Sequence, residues 1–305
     1  MTLTVTLNPS VDRTLFVDSF KLADTNRVVK TETDAGGKGI NVARVASELG
    51  INVFATGFLA GKPGLFVKYV LDQEGVPHSF IGVPGETRLN ILIENADGPP
   101  TTFNERGPEI SKASWDELLD TICSRIESFE YVAMGGSIPP GLGPEAFGEI
   151  VSAVGKPCVA DADGEPMKIA LSRKPFMVKP NRQEAERLLG VTIGDAVQAL
   201  DAARELRNRG VAVAIVSIGK DGAVLSSDEG DFIAEPPRVD VVSTVGAGDS
   251  LIGGFLYGLE KRMSHEDCLR WGVAAGAATA TTGASEICKR AKVEELLSTV
   301  IIREP

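Results

Sequence analysis

The sequence predicts an α/β protein built on a mostly parallel sheet with helices on both faces. Short apolar runs at 53–58, 131–134, 158–161 and 211–217 have the length and weak alternation of strands buried on both sides. Between them lie segments whose apolar residues recur at helical spacing, so strand and helix alternate along most of the chain. The third observation is size: 305 residues, 43% hydrophobic and 24% charged, suffice for one large α/β domain or two small ones. We expect a single domain over 1–305.

Taken in order, a strand begins at 5–7, and the first clear helix is 40–49, where Val42, Val45, Ala46 and Leu49 share a face before Gly50 stops it. Residues 11–34 instead alternate loosely, with Leu15, Val17, Val28 and Val29 around Asp24-Thr25-Asn26, which predicts a small projecting hairpin. A second excursion starts near Thr87. There Leu89, Ile91 and Ile93 alternate and Asp97-Gly98-Pro99-Pro100 supplies a turn. The two excursions, about 11–34 and 87–106, are expected to pair into an accessory sheet. Helices follow at 65–74, 115–127, 144–154, 183–189 and 195–209, with a short strand at 176–178. Beyond Gly222 the pattern turns to hairpins, then to an Ala/Gly-rich helical region at 249–282.

Composition excludes several functions. A net charge of −11 and the lack of any basic run remove the attraction that drives binding to nucleic acid or anionic membranes. No apolar run approaches the ~20 residues of a membrane span, and residues 1–7 lack the basic segment and apolar core of a signal peptide. Four scattered cysteines without a C-x-x-C pair and only two histidines suggest neither a zinc site nor a disulfide scaffold. A cytoplasmic protein with reduced thiols is expected.

The strongest local signal is Ser243-Thr-Val-Gly-Ala-Gly-Asp249-Ser250, which runs directly into an apolar helix-length segment. Gly246, Ala247 and Gly248 leave backbone N–H groups open at the positive end of a helix, where an anion binds well. Asp249 there reads as a proton acceptor for an attacking hydroxyl, or equally as a plain N-cap. Ala35-Gly36-Gly37-Lys38-Gly39-Ile40-Asn41 is a Gly-rich turn into a helix; its glycines admit a polyhydroxy ligand, and Lys38 and Asn41 offer a cation and hydrogen bonds. It is not a P-loop, because G-x-x-x-x-G-K-[ST] does not occur. Lys179-Pro180-Asn181-Arg182-Gln183-Glu184 places Asn181 and Glu184 on one helix face, either to position Mg²⁺ through waters or as a capping box. Ser217, Gly219 and Gly222 lie in a turn after a strand, where open α/β sheets place nucleotides. Asp12, Arg88 and Ser137 complete the polar set, with Arg88 suited to clamp a phosphate, and Arg27 and Arg106 weaker candidates for that task.

Together, Thr6-Leu-Asn-Pro-Ser-Val-Asp12, Gly36-Gly-Lys-Gly-Ile-Asn41, Gly85-Glu-Thr-Arg88, Gly136-Ser-Ile-Pro-Pro-Gly141, Lys179-Pro-Asn181-x-x-Glu184 and Thr244-Val-Gly-Ala-Gly-Asp-Ser250 resemble, in order and spacing, the phosphofructokinase B family of ribokinase-like sugar kinases. The resemblance implies a Rossmann-type α/β/α sandwich with a small β-sheet lid that commonly pairs with a second lid in a homodimer. It implies ATP and Mg²⁺, a small sugar-phosphate substrate, Asp249 as base, and Gly246, Ala247 and Gly248 as its anion hole. Asn181 and Glu184 fall near the metal, and Lys179, Asn181, Ser217, Gly219 and Gly222 on the nucleotide side. Asp12, Gly36, Gly37, Lys38, Asn41, Arg88 and Ser137 fall on the sugar-phosphate side.

Within the family, Thr87-Arg-Leu-Asn90 and the run from Pro236 to Asp249 look most like the branch acting on fructose 1-phosphate. Asn26-Arg27-Val28 and Gly107-Pro-Glu-Ile110 also resemble tagatose-6-phosphate kinases. Glu286-Ile-Cys288 resembles the minor 6-phosphofructokinases, which typically carry glycine at the position of Lys38. A dinucleotide-dependent oxidoreductase would need G-x-G-x-x-G after the first strand, where this chain has Asn8-Pro-Ser-Val-Asp12. A sugar-responsive binding protein on the same fold is the non-catalytic rival.

Overall fold

The computed structural model describes residues 1–96, 98–283 and 286–305. The first half of the chain runs β1 (Thr2–Thr6), β2 (Ser10–Val17), β3 (Lys30–Gly36), α1 (Lys38–Glu48), β4 (Val53–Leu59), α2 (Gly61–Gln73), β5 (Ile81–Gly82), β6 (Arg88–Asn95), β7 (Thr101–Asn104), α3 (Lys112–Arg125) and β8 (Tyr131–Gly135). It continues through α4 (Ala146–Val154), β9 (Cys158–Asp161), α5 (Gly164–Ser172), β10 (Met177–Val178), α6 (Arg182–Leu189), α7 (Ala196–Asn208) and β11 (Val213–Ser217). The last part holds the antiparallel strands β12 (Ala223–Ser227) and β13 (Gly230–Glu235), then α8 (Ala247–Glu260), α9 (His265–Ala280), α10 (Arg290–Leu297) and β14 (Ile301–Arg303).

Ten strands form one sheet in the order β14-β13-β12-β11-β10-β9-β8-β1-β4-β5, parallel from β11 to β5 and antiparallel beyond β11. Alternation of side chains sends each strand into two cores. Val53, Ala55, Val159, Val213 and Ile215 meet Ile40, Val42, Phe255 and Val273 on one face. Phe54, Phe58, Ala160, Ala214 and Val216 meet Leu118, Phe147, Met167 and Leu200 on the other. This is the predicted sheet covered on both faces. The chain leaves β1 for β4 on one side and returns to β8 on the other, so the connections diverge above the C-terminal ends of β1 and β8. Open α/β sheets bind ligands in such a crevice.

A second sheet, β3-β2-β6-β7, is built from the two excursions, with β2 and β6 parallel and Ser10 opposite Arg88 and Asp12 opposite Asn90. Its hairpin is shorter than the alternation suggests: β3 starts at Lys30, and Val28 and Val29 lie exposed outside it. Of the predicted 97–100 turn, Asp97 falls outside the described residues. The first helix begins at Lys38 rather than at Ile40. Periodicity does not single out α5, because Gly164 and Pro166 open it; a first-turn proline is tolerated where N–H groups lack partners anyway. The C-terminal α10 and β14 are likewise unread in the sequence, and β14 completes the edge by pairing with β13.

The Ala/Gly-rich region resolves into two helices in intimate contact. A Cβ on Gly254 would lie 2.5 Å from the Trp271 carbonyl oxygen, and one on Gly258 would lie 2.6 Å from Cys268 Sγ. On another side of α8, a Cβ on Gly253 would meet Val45 Cγ1 of α1 at 2.6 Å. The missing side chains therefore let α8 nest against both α9 and α1. We predict that Gly254→Ala costs ~1–3 kcal/mol through overpacking, read as a lower Tm by calorimetry. An unchanged Tm would show that the contact between α8 and α9 yields without cost.

Candidate active site

Five parallel strands carry polar residues at or just beyond their C-terminal ends. Asn8 follows β1, Ser137 follows β8, Asp161 ends β9, Lys179 to Asn181 follow β10 and Ser217 ends β11. Two helices aim their first turns at the same place. Gly37 caps α1 at φ 118° and Gly246 caps α8 at φ 76°, conformations in which a side chain is strained, and neither helix has a side-chain cap. Ala247 N–H makes a long bond to the Thr244 carbonyl at 3.4 Å, and with no side-chain cap the first turns of both helices present a positive end to the crevice.

Asp249, in the first turn of α8, is buried at 7% exposure, and its Oδ2 accepts a hydrogen bond from Asn41 Nδ2 of α1 at 2.7 Å. Burial, and next the charge of Asp161, push the Asp249 pKa up to about 6, against the pull of Lys38, the Asn41 hydrogen bond and Lys179. A carboxylate so placed is a competent general base near neutral pH. Gly248 is adjacent; a Cβ there would come within 3.3 Å of Lys179 Nζ.

Asp161, which sequence reasoning passed over, organises the cluster. It is buried, with Oδ1 accepting from Lys38 Nζ at 3.0 Å and Oδ2 facing Lys179 Nζ at 3.4 Å. Burial alone would raise its pKa, but Lys179 and Lys38 outweigh burial and hold it below the ordinary value. Burial likewise works against the Lys38 charge, yet Asp161, Glu184 and Asp249 keep its pKa raised. The only signal in the sequence was a carboxylate ending a buried strand, Cys158-Val-Ala-Asp161. Lys38 is also repositioned relative to expectation. Grouped with Arg88 on the sugar-phosphate side in the sequence, it extends toward Asp161 and lies 3.8 Å from Glu184 Oε1.

Asn181 and Glu184 form the capping box that was the structural alternative: Glu184 N–H donates to Asn181 Oδ1 at 2.9 Å and Asn181 N–H to Glu184 Oε2 at 2.8 Å. The cap uses one carboxylate oxygen and turns the other toward Lys38. Ser217 N–H donates to the Pro180 carbonyl at 3.1 Å, and a bridge between Asn181 and Ser217 brings the 219–221 turn alongside. In that turn Gly219 has φ 62°, and a Cβ on Gly222 would collide with the Ala234 carbonyl. Among the described residues, no group of three or more His, Cys, Asp or Glu forms a metal cage.

The small sheet supplies the opposite wall. Asp12 Oδ1 accepts from Ser10 Oγ at 2.7 Å and Asn90 Nδ2 at 2.9 Å, and a Cβ on Gly36 would collide with the Asp12 carboxylate. Arg88 Nε donates to the Asn8 carbonyl at 3.2 Å; burial lowers its pKa against the opposing charge of Asp12, and it stays a cation. Asn8 Nδ2 donates to Ser137 Oγ at 3.1 Å and the Arg106 carbonyl at 3.0 Å. The side chains of Arg27 and Arg106 belong to exposed residues. Thr6 Oγ1, Asn8 Oδ1, Asn41 Oδ1 and Asn90 Oδ1 are buried oxygens with no hydrogen-bond partner in the protein.

The sequence pattern of pfkB family carbohydrate kinases matches residues 5–292. Among curated relatives, the 1-phosphofructokinase of Escherichia coli K12 is 36% identical, covering 97% of this chain and 96% of that one. The 1-phosphofructokinase of Bacillus subtilis is 35% identical, covering 98% of each. Among solved structures, phosphofructokinase-2 from Escherichia coli in complex with substrates and products superposes with a TM-score of 0.90 at 29% identity, covering 97% of this chain and 98% of that one.

Since the charge of Asp161 adds to burial in raising the Asp249 pKa, we predict that Asp161→Asn lowers the Asp249 midpoint below about 6. Carbon-13 NMR titration of labelled aspartate carboxyls reads it directly; an unmoved midpoint would sever the two carboxylates.

Proposed function

We propose that this chain, which belongs to the pfkB family of carbohydrate kinases, transfers the γ-phosphoryl group of ATP to fructose 1-phosphate, giving fructose 1,6-bisphosphate and ADP. The observation that carries the proposal is Asp249: a buried carboxylate at the uncapped N-terminus of α8, with the cations Lys38 and Lys179 on one side and the polar small sheet on the other. The 1-phosphofructokinase relatives, alike over nearly full length, support the choice of acceptor.

In this reading the acceptor lies against Asp12, Asn41, Ser137 and Arg88, with its phosphate facing the Arg88 guanidinium. Asp249 takes the proton of the attacking hydroxyl as its oxygen bonds to the γ-phosphorus and the bond to the β-phosphate oxygen breaks. The N–H groups of Gly246, Ala247 and Gly248, with Lys38 and Lys179, face the charge on the transferring group, so positioning and neutralisation supply most of the effect. The nucleotide extends over Lys179, Asn181, Ser217, Gly219 and Gly222.

Mg²⁺ suits the site, because an ion that retains much of its hydration needs few protein ligands, and Glu184 Oε1 remains outside the capping box. Glu184 and Asn181 would hold it through water, and when bound it supplies charge neutralisation on the phosphates. The small sheet acts as a lid that excludes water, and we expect it to pair with a second lid in a homodimer. Unpaired cysteines at 123, 158, 268 and 288 suit the cytoplasm; among the described residues no helix is long and apolar enough to cross a membrane.

A 6-phosphate acceptor is the competing reading, since phosphofructokinase-2 shares the fold so closely. A coupled ADP-release assay with MgATP against fructose 1-phosphate, fructose 6-phosphate, tagatose 6-phosphate, fructose and ribose separates them by kcat/KM. We expect fructose 1-phosphate to lead and Arg88→Ala to raise KM for it far more than for ATP. Turnover of only the unphosphorylated sugars would overturn the assignment. For the base, Asp249→Asn should lose at least about 10²-fold in kcat. Because a base must be ionised, wild-type turnover should fall as pH drops through about 6; near-wild-type kcat in the variant would remove Asp249 from the mechanism.

A further inference from the structure

Arg44 lies outside the chemistry just described, yet it is a cation at 3% exposure inside the molecule. Its guanidinium joins three elements. Nε and Nη2 make a two-pronged pair with Glu74, at the C-terminal cap of α2, at 2.7 and 2.6 Å. Nη2 also reaches Asp34 Oδ2 at 3.0 Å, and Nη1 donates to the Ala35 carbonyl at 3.1 Å. Asp34 and Ala35 form the root of β3, where the small sheet returns to α1 through Gly36 and Gly37.

At this root, Asp34, Ala35 and Gly36 lie opposite Asp12, Val11 and Ser10, and Gly36 approaches the Asp12 carboxylate so closely that a Cβ would collide with it. A shift of the β3 root therefore moves the Asp12 wall. Three residues before Arg44 on the same helix, Asn41 holds Asp249. One guanidinium thus ties β3, the neighbour of the Asp12 strand, to α1, whose Asn41 hydrogen-bonds Asp249. Of the three charges only Arg44 is fully buried, and a buried cation is costly unless paired, so its partners Asp34 and Glu74 hold it in one place between α1, α2 and the root of β3.

We propose that Arg44 is a positioning residue for the acceptor: it sets the distance between the Asp12 wall of the small sheet and Asp249, without bearing on the nucleotide. The inference rests on the kinase reading above for which groups face the acceptor. Two variants test it. Arg44→Lys keeps the buried charge but loses the planar fork that spans three partners, and Asp34→Asn weakens only the arm to the small sheet while leaving the Arg44–Glu74 pair.

Steady-state KM for the sugar phosphate and for MgATP, kcat and Tm are measured on the full chain, with fructose 1-phosphate or, if wild type prefers another in the ADP-release panel, that acceptor. A wild type that favours another acceptor corrects the substrate assignment alone and leaves this test intact. In Arg44→Lys the acceptor KM should rise about tenfold or more, as small misplacements do, with the MgATP KM within about twofold. Asp34→Asn should shift the acceptor KM in the same selective way. Equal rises in both KM values, or a lowered Tm with the acceptor KM unchanged in both variants, would make Arg44 a structural residue and overturn the proposal.

Discussion

The site depends on keeping two carboxylates charged where water is scarce. Asp161 and Asp249 are both buried, and each raises the cost of ionising the other. An unpaired charge in such surroundings is strongly unfavourable. Asp161 is stabilised by ion pairs with Lys38 and Lys179, whereas Asp249 bears its own burial first and the charge of Asp161 second, which bring its pKa to about 6. The feature that looks purely structural, a salt-bridged aspartate at a strand end, thereby tunes the reactivity of its neighbour.

Everything around this cluster serves to bring distant parts of the chain to one point. The parallel strands deliver Asp161, Lys179 and Ser217 at a common level because their C-terminal ends face one side of the sheet. Glycines at 253 and 254 let α8 sit close to α1 and α9, so that Asn41 can reach Asp249 at 2.7 Å. Uncapped first turns on α1 and α8 would be a defect in helices packed for stability alone; they are understandable where a ligand completes them.

Much of this was legible in the sequence, because the relevant signals are local. Buried strands betray themselves by short apolar runs, and the glycines before Asp249 and Lys38 mark turns that only small residues allow. What was hidden depends on long-range partners. Nothing near Asp161 in sequence announces that Lys38, far earlier in the chain, will point at it. The same fact explains why Lys38 could be grouped with Arg88: the Gly-rich turn shows where the backbone goes, not which carboxylate the flexible side chain finds. Asn181 and Glu184 show a different ambiguity, since one spacing satisfies a helix cap while turning the second carboxylate oxygen toward Lys38. At α5, Gly164 and Pro166 hid a helix whose first turn tolerates both.

The two wings of the crevice are written in separate parts of the chain. Asp12, Arg88 and Asn90 belong to β2 and β6 of the small sheet, whereas Asp161, Lys179 and Asp249 belong to the large sheet and its helix. In the proposed reading the acceptor wall is thus drawn from both parts, with Asp12, Arg88 and Asn90 in the small sheet and Asn41 and Ser137 in the large-sheet body, so a change in either sheet is felt at the crevice they share.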